Sequence, residues 1–323
     1  MLKIDPSSLD WALEHVGSRG DTDILPLPFE YSAIANDWDE IRSYLAAQDV
    51  DTWAARPLRK MLAPKHGLGF RLATQLDPLD MLLISALIYE VGAELEAVRV
   101  PTEARTVFSY RFNPSPDGRL YDSQFDFEGF RVRSLEMAER QDTSFVVMTD
   151  IADFFPRIYS HPMENALRAA TTSPDHARVI SKLVSAWNMG VSYGIPVGPS
   201  PFRLISEVTI SDVDLALLAE GYAFCRFSDD YRIFVDSKRQ AREALAFLAN
   251  TLSSNHGLTL QESKTEIVAS EDFSVRFGRA ERDHERHALQ SRFGDIASAL
   301  GIAGNYEAVE SSDLSAEQQA VVD

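Results

Sequence analysis

Cysteine is almost missing from this 323-residue chain, with Cys225 the only one. A lone thiol excludes an internal disulfide, and its place inside the apolar run "AFCRF" predicts an inert core thiol. Long hydrophobic runs are also missing. The longest apolar stretch, "MLLISALIYEVG" at 81–92, falls well short of the roughly 20 residues that span a bilayer, and the N-terminal "MLKIDPSSLDW" has no apolar core of a secretion signal. The expectation is a soluble protein of the reducing cytoplasm with no membrane partner. Positive charge is scarce as well: 31 Lys and Arg against 49 Asp and Glu give a formal charge of −18. At face value this counts against nucleic acid, because phosphate binding usually leaves a basic footprint.

The deficit is unevenly spread. Residues 1–51 hold eleven acids and three bases, and residues 301–323 hold five acids and no base, whereas residues 52–140 hold twelve of each. The acidity lies mostly outside the stretch that would have to touch phosphates, and reads as a solubilising surface. With 45% hydrophobic residues, the chain suits one large domain or two closely joined lobes.

No repeat, low-complexity segment or linker interrupts residues 52–280. "DPLDMLLISALIYEVGAELEAV" predicts a helix with Asp77 as N-cap and Pro78 at its first position. "TSFVVMTDI" (143–151) reads as a buried strand ending in an acid, followed by helices over "HPMENALRAA" and "HARVISKLVSAWN". A single long helical pattern runs through "FRLISEVTISDVDLALLAEG" and closes at Gly221. A hairpin at 222–236, a helix over "KRQAREALAFLANTLSSNHG" and strands near "LTL" and "TEIVAS" complete the unit. Consecutive antiparallel strands covered by helices on one face make an α+β sheet and not a doubly wound parallel one.

Within the hairpin, "CRFSDDYRIFV" places Asp229 and Asp230 side by side between two strand-like runs. A plain hairpin turn rarely needs two neighbouring acids, and Gly or Asn normally relieves its backbone. If the strand ending at Asp150 lies beside this hairpin, three carboxylates meet at one sheet edge. Clustered carboxylates are costly unless their pKa values shift or a cation binds. Oxygen donors favour Mg²⁺ or Mn²⁺, and two such ions about 4 Å apart can stabilise both the attacking and the leaving oxygen of a phosphoryl transfer.

These residues resemble a known family. "TDIADFF" (149–155), "GIPVGPSPFRLISE" (194–207), "RFSDDYRIF" (226–234) and "GLTLQESKTEI" (257–267) look like motifs A to D of a reverse transcriptase palm, in order and suitably spaced. "APKHGLGFR" (63–71) is similar to the fingers motif that grips a triphosphate, and "FSYRF" (108–112) to the stretch that follows it. The resemblance covers about residues 55–280. It implies a right-hand fingers and palm fold with a helix-backed antiparallel sheet and a short or absent thumb. The corresponding division is an acidic N-terminal segment (1–51), fingers (52–142), palm (143–280) and a short helical, acidic tail (281–323) that either ends early or leads into a further domain.

It also implies roles. Asp150 and Asp229 would be the principal ligands of two Mg²⁺ (or Mn²⁺) ions, with the Ile151 carbonyl completing one site and Asp230 the supporting acid. Lys65 and Arg71 would neutralise the β- and γ-phosphates. Asp153, Phe154 and Phe155 would line the nucleotide, with Phe155 beneath the sugar and selecting dNTPs. Gly198 would allow close backbone approach, and Lys264 would stand ready to protonate pyrophosphate. "FGR" (277–279) is similar to a primer-grip hairpin. Substrates and partners would be dNTPs, an RNA or DNA template-primer, and a partner protein or additional domain.

Within the superfamily, the retron triplet "VTG" is absent, and motif B lacks the Ser-Gln ending of diversity-generating elements. The Pro-x-Gly-Pro of motif B resembles the bacterial abortive-infection and unknown-group enzymes associated with phage defence. Val197 stands where many relatives carry glutamine and cannot donate a hydrogen bond, so untemplated synthesis stays open beside templated synthesis. A non-catalytic scaffold, an RNA-dependent RNA polymerase and a palm-type nucleotide cyclase are the rival readings. The pair His284 and His287 reads as a solvated helix face, and His15, His66, His161, His176 and His256 receive no chemistry.

Overall fold

A computed structural model describes residues 1–64, 70–188 and 190–278. Met1–Ser274 form one compact unit, and residues from Val275 belong to a second. Lys65, His66, Arg279, the His284/His287 pair, the 281–323 tail and any thumb it would form therefore lie outside the described residues.

Three helices open the chain: α1 (Pro6–Arg19), α2 (Glu30–Asn36) and α3 (Trp38–Ala47). A hairpin of β1 (Arg59–Pro64) and β2 (Phe70–Gln75) leads into α4 (Pro78–Ala97), and α5 (Phe127–Ala138) precedes β3 (Phe145–Asp150). Five helices follow: α6 (Phe154–Arg157), α7 (Ser160–Ala170), α8 (Pro174–Trp187), α9 (Pro201–Thr209) and α10 (Ser211–Ala219). The hairpin β4 (Ala223–Phe227) and β5 (Asp230–Val235), then α11 (Lys238–His256) and β6 (Glu266–Ala269), complete the described elements.

The expected α+β architecture is the one adopted. Four strands in the order β4-β5-β3-β6 pair antiparallel throughout. No helix among the described residues is long and apolar enough to cross a membrane.

Helix α4 forms where its caps predict: the Asp77 side chain accepts from the Leu79 amide, and Pro78 occupies the first turn. It is apolar on nearly every side, which suits a helix enclosed by others. Asp80 is fully buried within it, and accepts from Trp53 Nε1 (2.8 Å), the Arg56 amide (2.7 Å) and Trp187 Nε1 (3.1 Å). The acidic N-terminal segment folds against this helix. Leu9, Ala12 and Val16 of α1 are buried, and the acids of the segment mostly face water.

Three expectations need correction. The helical pattern at 202–221 breaks at Ile210 (φ −104°, ψ 11°). Hydroxyls flank the break: Thr209 Oγ1 donates to the Ile205 carbonyl and Ser211 Oγ to the Val208 carbonyl, local bonds that compete with helix propagation. Near "LTL", only Leu260 bridges, opposite Ile151. Helices also cover both faces of the sheet. Neighbouring residues on a strand point to opposite faces; Tyr231 reaches Asp214 of α10, while the Arg232 guanidinium stacks 4.2 Å from the Phe130 ring of α5. With both sides enclosed, Val146 and Val147 of β3 are each fully buried.

Candidate active site

The pairing register decides which side chains meet. β3 and β5 run antiparallel with Asp150 opposite Asp230, and the pairing continues past the strand ends, where the Ile151 amide donates to the Asp229 carbonyl (3.0 Å). Asp150 and the Asp229–Asp230 pair, eighty residues apart in sequence, thus share one end of the sheet. The turn between β4 and β5 is tight. Ser228, 4% exposed, sits in the left-handed region at φ 55°, where glycine or asparagine would be at ease and serine is strained.

Like charges directly opposite each other on paired strands repel, and their protonation reflects it. Burial, reinforced by the charges of Asp150 and Asp230, pushes the Asp229 carboxyl up from 3.8 to about 6. Burial and then Asp150 raise Asp230 as well. Two cations among the described residues act on these acids: Arg232, two residues along β5, bears on Asp230, and Lys264 donates its ammonium to Asp150 Oδ2 at 2.6 Å. That bond raises the lysine's own pKa. Among the described residues, the acids do not stand as a closed cage of metal donors. The electrostatics and the donor chemistry nevertheless fit a hard divalent cation: three carboxylates share one sheet end, two of them raised above the usual acid range by burial and by their neighbours' charge, and an ammonium occupies the oxygen such an ion would use.

Other anticipated residues surround this centre unequally. Phe154 is buried at 2% exposure, while Phe155 beside it is half-buried, their rings 5.2 Å apart. The Phe155 carbonyl accepts from the Ile195 amide, so motif B's loop is fastened to this ledge. Asp153 caps α6 in a left-handed conformation (φ 48°) and is exposed. Ile151 is fully buried.

Gly198, at φ 135°, has no room for a side chain: a Cβ would lie 2.7 Å from Thr22 Oγ1 and 2.8 Å from the Thr74 carbonyl oxygen. The close approach that glycine permits is made here by the chain itself, with the Thr74 amide donating to the Val197 carbonyl at 2.7 Å. Arg71 projects exposed from β2, without a carboxylate partner among the described residues.

Three of the histidines serve structure. His15 is buried between the Gly118 carbonyl (2.7 Å) and Ser200 Oγ (2.6 Å), and His176 and His256 bond Glu90 and Asp212. Cys225 is fully buried, and burial pushes its thiol up to about 12.

Sequence reasoning passed over a second charged group beneath the turn. Arg226 of β4 and Glu207 of α9 are fully inaccessible, and Asp214 of α10 is nearly so. Arg226 Nη2 donates to Glu207 Oε2 (2.8 Å) and Asp214 Oδ2 (2.6 Å). A signal was present: a lone arginine in an apolar strand, and lone acids in the apolar run "LISEVTISDVDLALL". Buried charges are kept only when paired.

Comparison with known proteins places this geometry in context. Residues 106–290, more than half of the chain, match the family described as reverse transcriptase (RNA-dependent DNA polymerase). No curated protein matches the chain. Among solved structures, it is similar to apo telomerase from Candida tropicalis (TM-score 0.48, 10% identity, covering 76% of this chain and 50% of that one). A form of that telomerase truncated from its C-terminal domain gives TM-score 0.47 and 12% identity over 67% of this chain and 51% of that one. Telomerase from Candida albicans, in complex with a fragment of telomeric RNA, gives 0.46 and 12% over 75% and 48%. The chain spans about half the length of these structures.

Proposed function

Because the chain belongs to the reverse transcriptase (RNA-dependent DNA polymerase) family, we propose that it joins dNTPs into DNA by metal-assisted phosphoryl transfer, with Asp150, Asp229 and Asp230 as its catalytic acids. The observation that carries this reading is the meeting of those carboxylates at one sheet end, with Asp229 pushed up to about 6 by burial and then by its acidic neighbours. In this reading, residues 52–142 form the fingers and 143–280 the palm.

Asp150, Asp229 and the Ile151 carbonyl would hold the divalent ions, Mg²⁺ or Mn²⁺, with Asp230 in support. When bound, these ions supply charge stabilisation at the attacking and leaving oxygens. The residues of the chain do the rest. Lys65 and Arg71 bind the β- and γ-phosphates, the latter as a bidentate fork. Phe155 packs under the sugar, and Asp153 and Phe154 shape the ledge that carries it. Gly198 and Val197 form the wall of the pocket. Lys264 pairs with Asp150 in the metal-free site, and with Asp150 engaged in holding a divalent ion its ammonium would be available to donate a proton to the departing pyrophosphate.

Substrates on this reading are dNTPs with an RNA or DNA template-primer, or nucleotides alone if synthesis is untemplated. The setting we propose is cytoplasmic phage defence, supported by the Pro196-Val197-Gly198-Pro199 form of motif B, together with a partner protein or further domain.

The decisive experiment incubates the purified protein with Mg²⁺ or Mn²⁺ and labelled dNTPs or NTPs, with and without RNA, and sequences the product. Wild type should incorporate deoxynucleotides. Asp229→Ala with Asp230→Ala should lose at least about a thousandfold in rate, because removing transition-state charge stabilisation is worth about two to three decades per group. Near wild-type incorporation by the folded double variant would overturn the assignment. Plating efficiency of phage on cells carrying wild type or the double variant tests the defence setting separately.

A further inference from the structure

The buried charges beneath the catalytic turn form one connected group. Arg226 spends all five of its N–H donors inside the protein: Nε on Asp214 Oδ1 (2.8 Å), Nη2 on Asp214 Oδ2 (2.6 Å) and Glu207 Oε2 (2.8 Å), and Nη1 on Glu207 Oε1 (3.1 Å) and the carbonyl of Ser228 (2.8 Å). That last acceptor is the residue immediately before Asp229, and the one whose left-handed backbone a serine adopts only under strain.

The same device recurs next door. Arg99 Nη2 donates to Glu207 Oε2 (2.8 Å), and its Nη1 donates to the carbonyl of Tyr110 (2.8 Å), a second left-handed non-glycine residue (φ 48°). The Tyr110 ring packs 5.7 Å from Phe227, the last residue of β4. With Glu96, which accepts from both Arg99 (2.8 Å) and Arg111 (2.7 Å), three arginines and three acids balance in charge, while Arg226 and Arg99 hold the carbonyls of the two strained residues Ser228 and Tyr110. Charge-assisted bonds of this kind hold backbone that would otherwise relax.

We propose that Arg226, oriented by Glu207 and Asp214, is a positioning residue for the metal-binding carboxylates: its hold on the Ser228 carbonyl sets the turn that presents Asp229 and Asp230. The proposal rests on the polymerase reading of those acids. Lysine cannot replace the arginine, because a point charge on a flexible stem cannot face two carboxylates and a carbonyl at fixed angles at once.

The test compares wild type, Arg226→Lys, Asp229→Ala and the double variant Arg226→Lys/Ser228→Gly. It measures melting temperature, Mn²⁺ affinity of the metal-free protein by electron paramagnetic resonance, the Mg²⁺ concentration for half-maximal incorporation, and dNTP KM at saturating Mg²⁺. Arg226→Lys should weaken Mn²⁺ binding and raise the Mg²⁺ requirement by about ten- to a hundredfold, the range seen when residues supporting a metal ligand are altered, while dNTP KM stays unchanged. Adding Ser228→Gly should restore part of the Mn²⁺ affinity, because glycine holds the left-handed conformation without a tether.

A folded Arg226→Lys protein with a lower melting temperature but unaltered Mn²⁺ affinity and Mg²⁺ requirement would overturn the proposal, as would the absence of any recovery in the double variant. If Arg226→Lys fails to fold, Asp214→Asn decides: it keeps the Glu207 and Ser228 bonds but loses the partner that aims the guanidinium, and unchanged Mn²⁺ affinity in it refutes positioning. If wild type incorporates no nucleotide yet loses Mn²⁺ binding on Asp229→Ala, the polymerase reading fails and the Mn²⁺ comparisons still judge Arg226.

Discussion

Asp229→Asn should stabilise the metal-free protein at alkaline pH while destroying its activity. The Asp229 carboxyl is lifted from 3.8 to about 6, first by burial and then by Asp150 and Asp230. Each tenfold change in proton affinity is about 1.4 kcal/mol, so ionising this group in the folded protein costs up to about 3 kcal/mol. Asp229 is only half-buried, and water on its open side lowers the effective penalty to roughly 1–2 kcal/mol.

The direction follows from linkage. Below pH 3.8 the group is protonated in both folded and unfolded chains and contributes nothing. Between 3.8 and 6 the folded state holds a proton that the unfolded state has released, so stability falls as pH rises; above 6 the whole penalty is present. Asparagine carries no charge and escapes it. Thermal unfolding in EDTA at pH 8 should therefore show the variant melting higher by roughly 1.5–3 °C, and the gain should shrink towards zero as pH approaches 4. Added Mg²⁺ should raise the melting temperature of wild type more than that of the variant. A variant that melts no higher than wild type at pH 8 without metal, or a gain that persists undiminished at pH 4, would refute this account of the site.

Two further substitutions probe the pocket. Phe155→Val should admit ribonucleotides, since relieving a steric clash of about 1–3 kcal/mol changes discrimination by roughly ten- to a hundredfold; the ratio of kcat/KM for dGTP over GTP measures it, and an unchanged ratio in an active variant places sugar selection elsewhere. Arg71→Ala should raise the nucleotide KM far more than it weakens template-primer binding, and the reverse pattern would assign Arg71 to the nucleic-acid backbone.

Much of the palm was legible because its signals are local. Asp77, Pro78 and the apolar spacing of α4 specify a helix without help from the rest of the chain, and Gly221 marks the end of α10 at φ 81°, a conformation glycine adopts without strain. The acids at 150, 229 and 230 stood out because paired carboxylates at strand ends are uncommon without a purpose. Their order along the chain, with the motifs around them, resembles one family.

What the sequence could not contain was register and enclosure. That Asp150 faces Asp230 depends on how β3 and β5 align, and a slip of one residue would have turned every side chain of a strand to the other face. The helix break at Ile210 turned on hydroxyl bonds that compete with a strong apolar period, and the second covered face depended on α5 reaching β5 from a distant part of the chain. The helical fold of the acidic N-terminal segment and the Thr22 contact that requires Gly198 were likewise invisible. Residue type and spacing by themselves determined the chemistry available to this protein, because carboxylates, caps and turn residues act over a few positions. Only tertiary packing decided which of those groups share a dielectric, since burial and charge pairing, as of Arg226 with Glu207 and Asp214, arise between segments that the linear chain keeps apart.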